Sequence, residues 1–236
     1  MSFPAVIVIG LSLMIGTLVL VTKWEHRRIR QLKEAGVALG LRPFGEDEPF
    51  ALPSVELLRK RRRTVGAALK GTWKGEPVTV FDISYPAGKS VSQTTVFMLR
   101  LREPRIPEFA AIRKNFWLYR PSVDMPRLNH PPEPLRHGWH LYAPGREWLL
   151  GDAASQAIAD IGGQWSFEGS GTGLFLYRRG KRTPIRDMEQ WMNEALEASQ
   201  KLACVLPSMI VAETIEGSNE HSIRTRTFTF KASWKI

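Results

Sequence analysis

His130, His137 and His140 fall close together, and three imidazoles with a carboxylate from Asp124 or Glu133 would suit a metal ion. Pro131, Pro132 and Pro134 interrupt the segment, so no helix can line the rings up. His140 also sits in a strand-like run, Trp139–Tyr142, which leaves it a lone side chain. The pattern reads as surface-loop histidines.

Gly169-Ser170-Gly171-Thr172-Gly173 invites comparison with a phosphate cradle. A Walker loop needs Gly-Lys before Ser or Thr, and the dinucleotide fingerprint needs a wider spacing and a helix directly after it. A strand-like run follows instead, so the segment reads as a hairpin turn. Asp82 is the one acid inside Val80-Phe81-Asp82-Ile83 and would be a general base if it had a partner. Strand alternation places it on the solvent face of a sheet. Cys204, the single cysteine, lies among Leu202, Ala203, Val205 and Leu206, where a core thiol is expected. It excludes an intramolecular disulfide framework and a cysteine-rich zinc module. No nucleophile elbow, zinc-protease helix or paired-acid motif occurs. No catalytic residue, metal ligand or cofactor is therefore assigned, and an enzyme built on Asp82, Asp124 or the histidines stands as the alternative reading.

Charge says more. Lys and Arg number 33 against 23 Asp and Glu, giving +10, while a 43% hydrophobic content is enough to bury a core. The basic residues cluster at 23–33, 59–63, 100–120 and 178–182. Arg59, Lys60, Arg61, Arg62 and Arg63 form the densest run and are read as a docking patch for anionic lipid or an acidic protein. Nucleic acid is the weakest reading. Phe116-Trp117-Leu118-Tyr119-Arg120 interleaves aromatic and basic residues but lacks the order of an RNA-binding sheet motif, and no helix-turn-helix or zinc finger is present.

The elements that would position these groups begin with residues 1–22, which carry no charged side chain. At about 1.5 Å per residue a helix over them is roughly 33 Å long, the thickness of a bilayer core, so a transmembrane helix is expected. Lys23, Trp24, Arg27, Arg28 and Arg30 then suit the membrane interface. By the positive-inside rule, the expected arrangement is a single-pass protein of the plasma membrane, with the N-terminus outside and the following domain in the cytoplasm.

A basic juxtamembrane helix is expected over 23–41, with Ile29, Leu32, Ala35 and Leu39 on one face and Gly40 as its stop. Residues 42–53 read as a linker and 55–62 as a short helix capped by Ser54. Alternating runs at 65–73, 78–85 and 93–102 predict an antiparallel meander. Residues 103–138 are proline-rich and read as an irregular connection across the sheet. A strand at Trp139–Tyr142, a helix over 145–161, a hairpin at 164–168 and 173–178, and a helix from Thr183-Pro184 to about 206 follow. A β-like tail occupies 207–236. The expected fold is α+β, with residues 54–206 forming one unit or two, 54–120 and 139–206.

Several of these segments resemble a family of uncharacterised bacterial membrane-anchored proteins with a domain of unknown function. The likeness rests on Gly71-Thr72-Trp73-Lys74-Gly75, on Val78 to Tyr85 and on Gln93-Thr94-Thr95-Val96. The Leu-x-x-x-Ala/Gly-x-x-x-Gly-Leu layout from Leu32 to Leu41 and Trp165 to Gly169 with Leu174 to Tyr177 extend it. The resemblance implies a bacterial membrane protein and brings no activity or catalytic residue with it. The expected function is a bilayer-anchored binding or scaffolding module. A membrane-proximal nucleic-acid binder is the second alternative.

Overall fold

The computed structural model describes residues 3–44, 64–87, 90–101, 106–114, 125–162 and 164–206. The expected helix at 55–62, the patch Arg59 to Arg63, the Phe116–Tyr119 run, Asp124 and the tail 207–236 lie outside them.

Eight strands form one antiparallel sheet in the order β1-β2-β3-β4-β8-β7-β5-β6. They are β1 (Arg42–Pro43), β2 (Thr64–Trp73), β3 (Glu76–Ala87), β4 (Ser90–Arg100), β5 (Ile106–Arg113), β6 (Trp139–Tyr142), β7 (Ser166–Gly171) and β8 (Gly173–Tyr177). The meander β2-β3-β4 forms as its alternation predicts. Strands from 54–120 and from 139–206 share the sheet, because β4 pairs with β8 and β5 with β7.

One face is covered by helices. α1 (Phe3–Ala38) lies over β2, α2 (Gly151–Ile161) packs against α3, and α3 (Met188–Ala203) crosses β4 and β8. Val80, Phe97, Leu99, Leu176, Met192 and Leu202 belong to the core between helices and sheet. The other face carries a second cluster, with Phe81, Ile83, Tyr85, Met98, Phe175 and Tyr177 at its centre. α1 ends at Gly40, whose φ of 78° suits a residue without a Cβ. Gly40 N–H donates to Val37 O at 3.0 Å and Leu41 N–H to Gly36 O at 2.8 Å, the paired bonds of a Schellman cap. The cap turns Leu41 into the core and starts β1.

The first correction concerns the N-terminal segment. Among the described residues no helix is long and apolar enough to cross a membrane. α1 meets its first charged side chain at Lys23. It then runs on without a break as an amphipathic helix docked on the sheet through Leu32, Gly36 and Ile29. The expected transmembrane helix, the single-pass description, and the plasma-membrane placement with its N-terminus outside and a cytoplasmic domain are overturned together. The architecture is a mostly antiparallel eight-stranded sheet with few helices. The linker reading of 42–53 is also cut short at its start, where Arg42 and Pro43 pair with Lys70 and Leu69.

β5 lies inside the stretch 103–138 that reads as irregular. It is buried on both faces along most of its length, so its apolar residues run together where a half-buried strand would alternate. Pro107 falls in a register irregularity between Ile106 and Phe109, where a missing N–H does no harm. A second irregularity, between Val65 and Ala68 in β2, sends these two residues to the second face while Ala67 and Leu69 point to the helices. The expected alternation across 65–73 therefore breaks at one point.

Candidate functional site

Asp82 leads to the largest polar cluster. Its neighbours along β3 on the same face are Val78 and Val80, both buried against the helices, and Asp82 itself is 2% exposed. The expected solvent-facing placement is corrected: Asp82 lies on the helix-covered face of the sheet, against Arg28 of α1. Arg28 Nε donates to Asp82 Oδ2 at 3.0 Å, Thr95 Oγ1 donates to Oδ1 at 2.6 Å, and Arg182 Nε lies 3.5 Å from Oδ2. Arg182 also grips Glu25 in a fork, Nη1 to Oε1 and Nη2 to Oε2, both at 2.9 Å. Gln93 Nε2 donates to Glu25 Oε1 at 2.7 Å. Thr183 N–H donates to Thr95 Oγ1 at 2.9 Å, and Gly180 N–H to Thr94 Oγ1 at 2.9 Å. One network thus ties α1, β3, β4 and the loop before α3.

This network changes the meaning of two basic clusters. Arg28, expected at a membrane interface, is turned inward, while Lys23, Trp24, Arg27 and Arg30 are exposed. The interface role expected of all five rested on that span. In the 178–182 cluster, Arg178 pairs with Glu194 and lies over the Trp165 ring at 4.7 Å, and Lys181 Nζ donates to Gln164 Oε1 at 3.1 Å. Both clusters therefore spend part of their charge within the fold.

The Arg182 hydrogen bond holds the Glu25 carboxyl below its ordinary range against the opposing effect of burial, helped by Gln93 and by the charges of Arg182 and Arg28. The folded-state pKa is thus depressed relative to the unfolded chain. Its stabilisation is fully present above the unfolded value and is lost as pH falls through the folded one. Denaturant titrations of wild type and Glu25→Gln should therefore differ at about pH 7 and converge by about pH 3. A difference that persists or widens on acidification would contradict this.

On the second face, Glu168 is buried beside Tyr177, whose phenol donates to Glu168 Oε1. Burial pushes the Tyr177 hydroxyl well above its ordinary pKa, and the Glu168 charge adds to the shift. The phenol therefore stays protonated as a fixed donor. Alternation along 164–168 marks Glu168 as sharing a face with Ser166, but nothing in the sequence pairs it with Tyr177 across the hairpin.

The glycine run forms the β7–β8 turn, as its context predicts. Ser170 pairs with Gly173, and Gly171 has a φ of 61°. Gly169 serves packing instead. A Cβ there would lie 2.2 Å from Phe109 Cε1, so its lack of a side chain lets β5 and β7 close together. Cys204 is exposed just past the end of α3, not buried as its apolar neighbours suggest.

The histidines part company. His140 is half-buried on β6, His137 is exposed, and His130 stands at the mouth of a cleft of about 300 Å³. Among the described residues no group of three or more His, Cys, Asp or Glu is placed to hold a metal ion. Leu128, Trp139 and Leu141 form the buried part of the cleft, with Pro131 beside them. Arg127, Asn129, His130 and Arg136 are exposed around it. Arg136 Nη1 meets Glu133 Oε2 at 2.7 Å, but these side chains are 55% and 70% exposed. Pairs of that kind contribute between nothing and about 1 kcal/mol. Arg127 and Arg136 belong to none of the basic clusters visible in the sequence. They come together because Leu128 N–H bonds Leu141 O at 2.9 Å, laying 125–128 along β6, and a short 3-10 turn (Glu133–Leu135) brings Arg136 back.

No family model matches the chain, and a search of curated proteins likewise finds no match. Among solved structures, the crystal structure of the mycobacterial trehalose monomycolate transport factor A, TtfA, is similar at 15% identity, with 76% of this chain and 96% of that chain covered and a TM-score of 0.43. A likeness that loose transfers neither residues nor function.

Proposed function

We propose that this protein is a binding module that holds an acidic protein partner against its basic outer surface. The observation that carries the reading is where the acids go. Asp82, Glu25 and Glu168 are turned into the fold and engaged by Arg28, Arg182, Gln93, Thr95 and Tyr177. Asp82 and Glu25 are offset inside by Arg28 and Arg182, so this network leaves the formal excess of +10 to the rest of the chain. The same placement speaks for binding over catalysis. Asp82 and Glu168 are 2% and 1% exposed, and each is held by donors from its own chain. A general base has to reach its substrate's proton.

An electrostatic partner surface depends on salt, because the screening length falls from about 10 Å at 0.1 M to about 3 Å at 1 M. Calorimetric titration of the full chain with polyglutamate is the test. Binding at about 50 mM salt that weakens at least about tenfold by 0.5 M is expected. Absence of binding at low salt, or equal affinity for polylysine, would overturn the proposal.

A further inference from the structure

We propose that the cleft between residues 127–131 and β6 receives a short acidic segment of that partner. A carboxylate would lie between Arg127 and Arg136, above the buried floor of Trp139 and Leu141. This assignment rests on the reading above and gives it a location.

Several observations converge on this cleft. No carboxylate lines it, and Arg127 has no ion-pair partner among the described residues. Arg136 is committed only to the exposed Glu133, so an incoming carboxylate can take its place. Arginine suits that role because its planar fork matches a carboxylate with two parallel hydrogen bonds. More positive charge stands close behind the rim. Lys114 Nζ donates to Arg136 O at 2.9 Å and to His137 O at 3.5 Å, and the Arg113 guanidinium lies 5.2 Å from the Trp139 ring centre.

The floor narrows the ligand class. Trp139 is 2% exposed and packs on Phe167, with ring centres 5.7 Å apart. An indole so deeply set offers no face on which a nucleotide base could stack, which argues against single-stranded nucleic acid. At about 300 Å³ the cleft is at the lower end of ligand sites, sized for a few side chains and not for the face of a domain.

The test is fluorescence polarisation with a labelled acetyl-(Glu-Leu-Glu)₂ peptide and the full chain at about 0.1 M salt. Arg127→Ala and Arg136→Ala should each weaken binding about tenfold. Arg30→Ala and Lys33→Ala, on the exposed side of α1, should change it less than about twofold. Near-equal losses from all four protein variants, or none from Arg127→Ala and Arg136→Ala, would overturn the cleft assignment while salt-sensitive binding left the acidic-partner reading standing. Full displacement of the probe by inorganic phosphate at equal charge would overturn the peptide assignment in favour of a general anion site. No binding of the probe or of polyglutamate would overturn both readings.

Discussion

Asp82→Ala is expected to destabilise the fold by about 3–5 kcal/mol, the cost of breaking a buried ion pair from one side. The Arg28 side chain is 14% exposed and the Arg182 side chain 19%, so neither guanidinium regains full hydration when the carboxylate goes. Thr95 loses the acceptor of its 2.6 Å hydrogen bond in the same step. Arg182 keeps Glu25, so Arg28 takes the larger part of the loss. Asp82→Asn should cost less, because an amide oxygen still accepts from Thr95. The double variant Asp82→Ala with Arg28→Ala should recover part of the loss, because the stranded cation is gone. Denaturant unfolding of the set measures this. A loss under about 1 kcal/mol for Asp82→Ala would show that the network is not what fixes α1 to the sheet.

Trp191→Ala should be comparably severe, at about 3–5 kcal/mol. Trp191 is 3% exposed and stands edge-on to Phe97, with ring centres 6.2 Å apart, while its other neighbour, Trp165, lies at 5.9 Å. It is the side chain through which α3 meets both β4 and the start of the β7–β8 hairpin, so truncation opens a cavity where three elements converge. Its indole nitrogen has no hydrogen-bond partner among the described residues. Trp191→Phe therefore forfeits ring volume and nothing polar, and should retain most of the stability lost by the alanine variant. Equal losses for the two substitutions, read by the same unfolding titration, would contradict this account.

Legibility in the sequence follows the strength of local pattern. β2, β3 and β4 alternate over short turns, and α3 carries Met188, Met192, Ala195 and Leu202 at helical spacing, so both are readable. β5 is not, because a strand buried on both faces has no polar row to alternate with, and Pro107 disguises it further. Asp82 misleads for a related reason: Phe81, Ile83 and Tyr85 form an apolar row, but so do Val78 and Val80 on the opposite face, and one charge draws attention from them. The apolar opening stretch invites a membrane inference from length and missing charge alone, whereas the helix it belongs to continues into a docked, charged half. Arg182 and Glu25 are separated by 157 positions, Arg28 and Asp82 by 54, and no local pattern in one chain marks such pairs.

The strand order also constrains how the chain is made. β4 is complete at Arg100, yet its outer neighbour β8 starts only at Gly173. Until the ribosome has delivered that later strand, the backbone groups of Val96 to Arg100 face no partner on that side. The nascent meander is therefore an unfinished template for its whole wait. Closing it requires joining distant parts of the polypeptide, a slow class of event that leaves time for self-association and for chaperones to intervene.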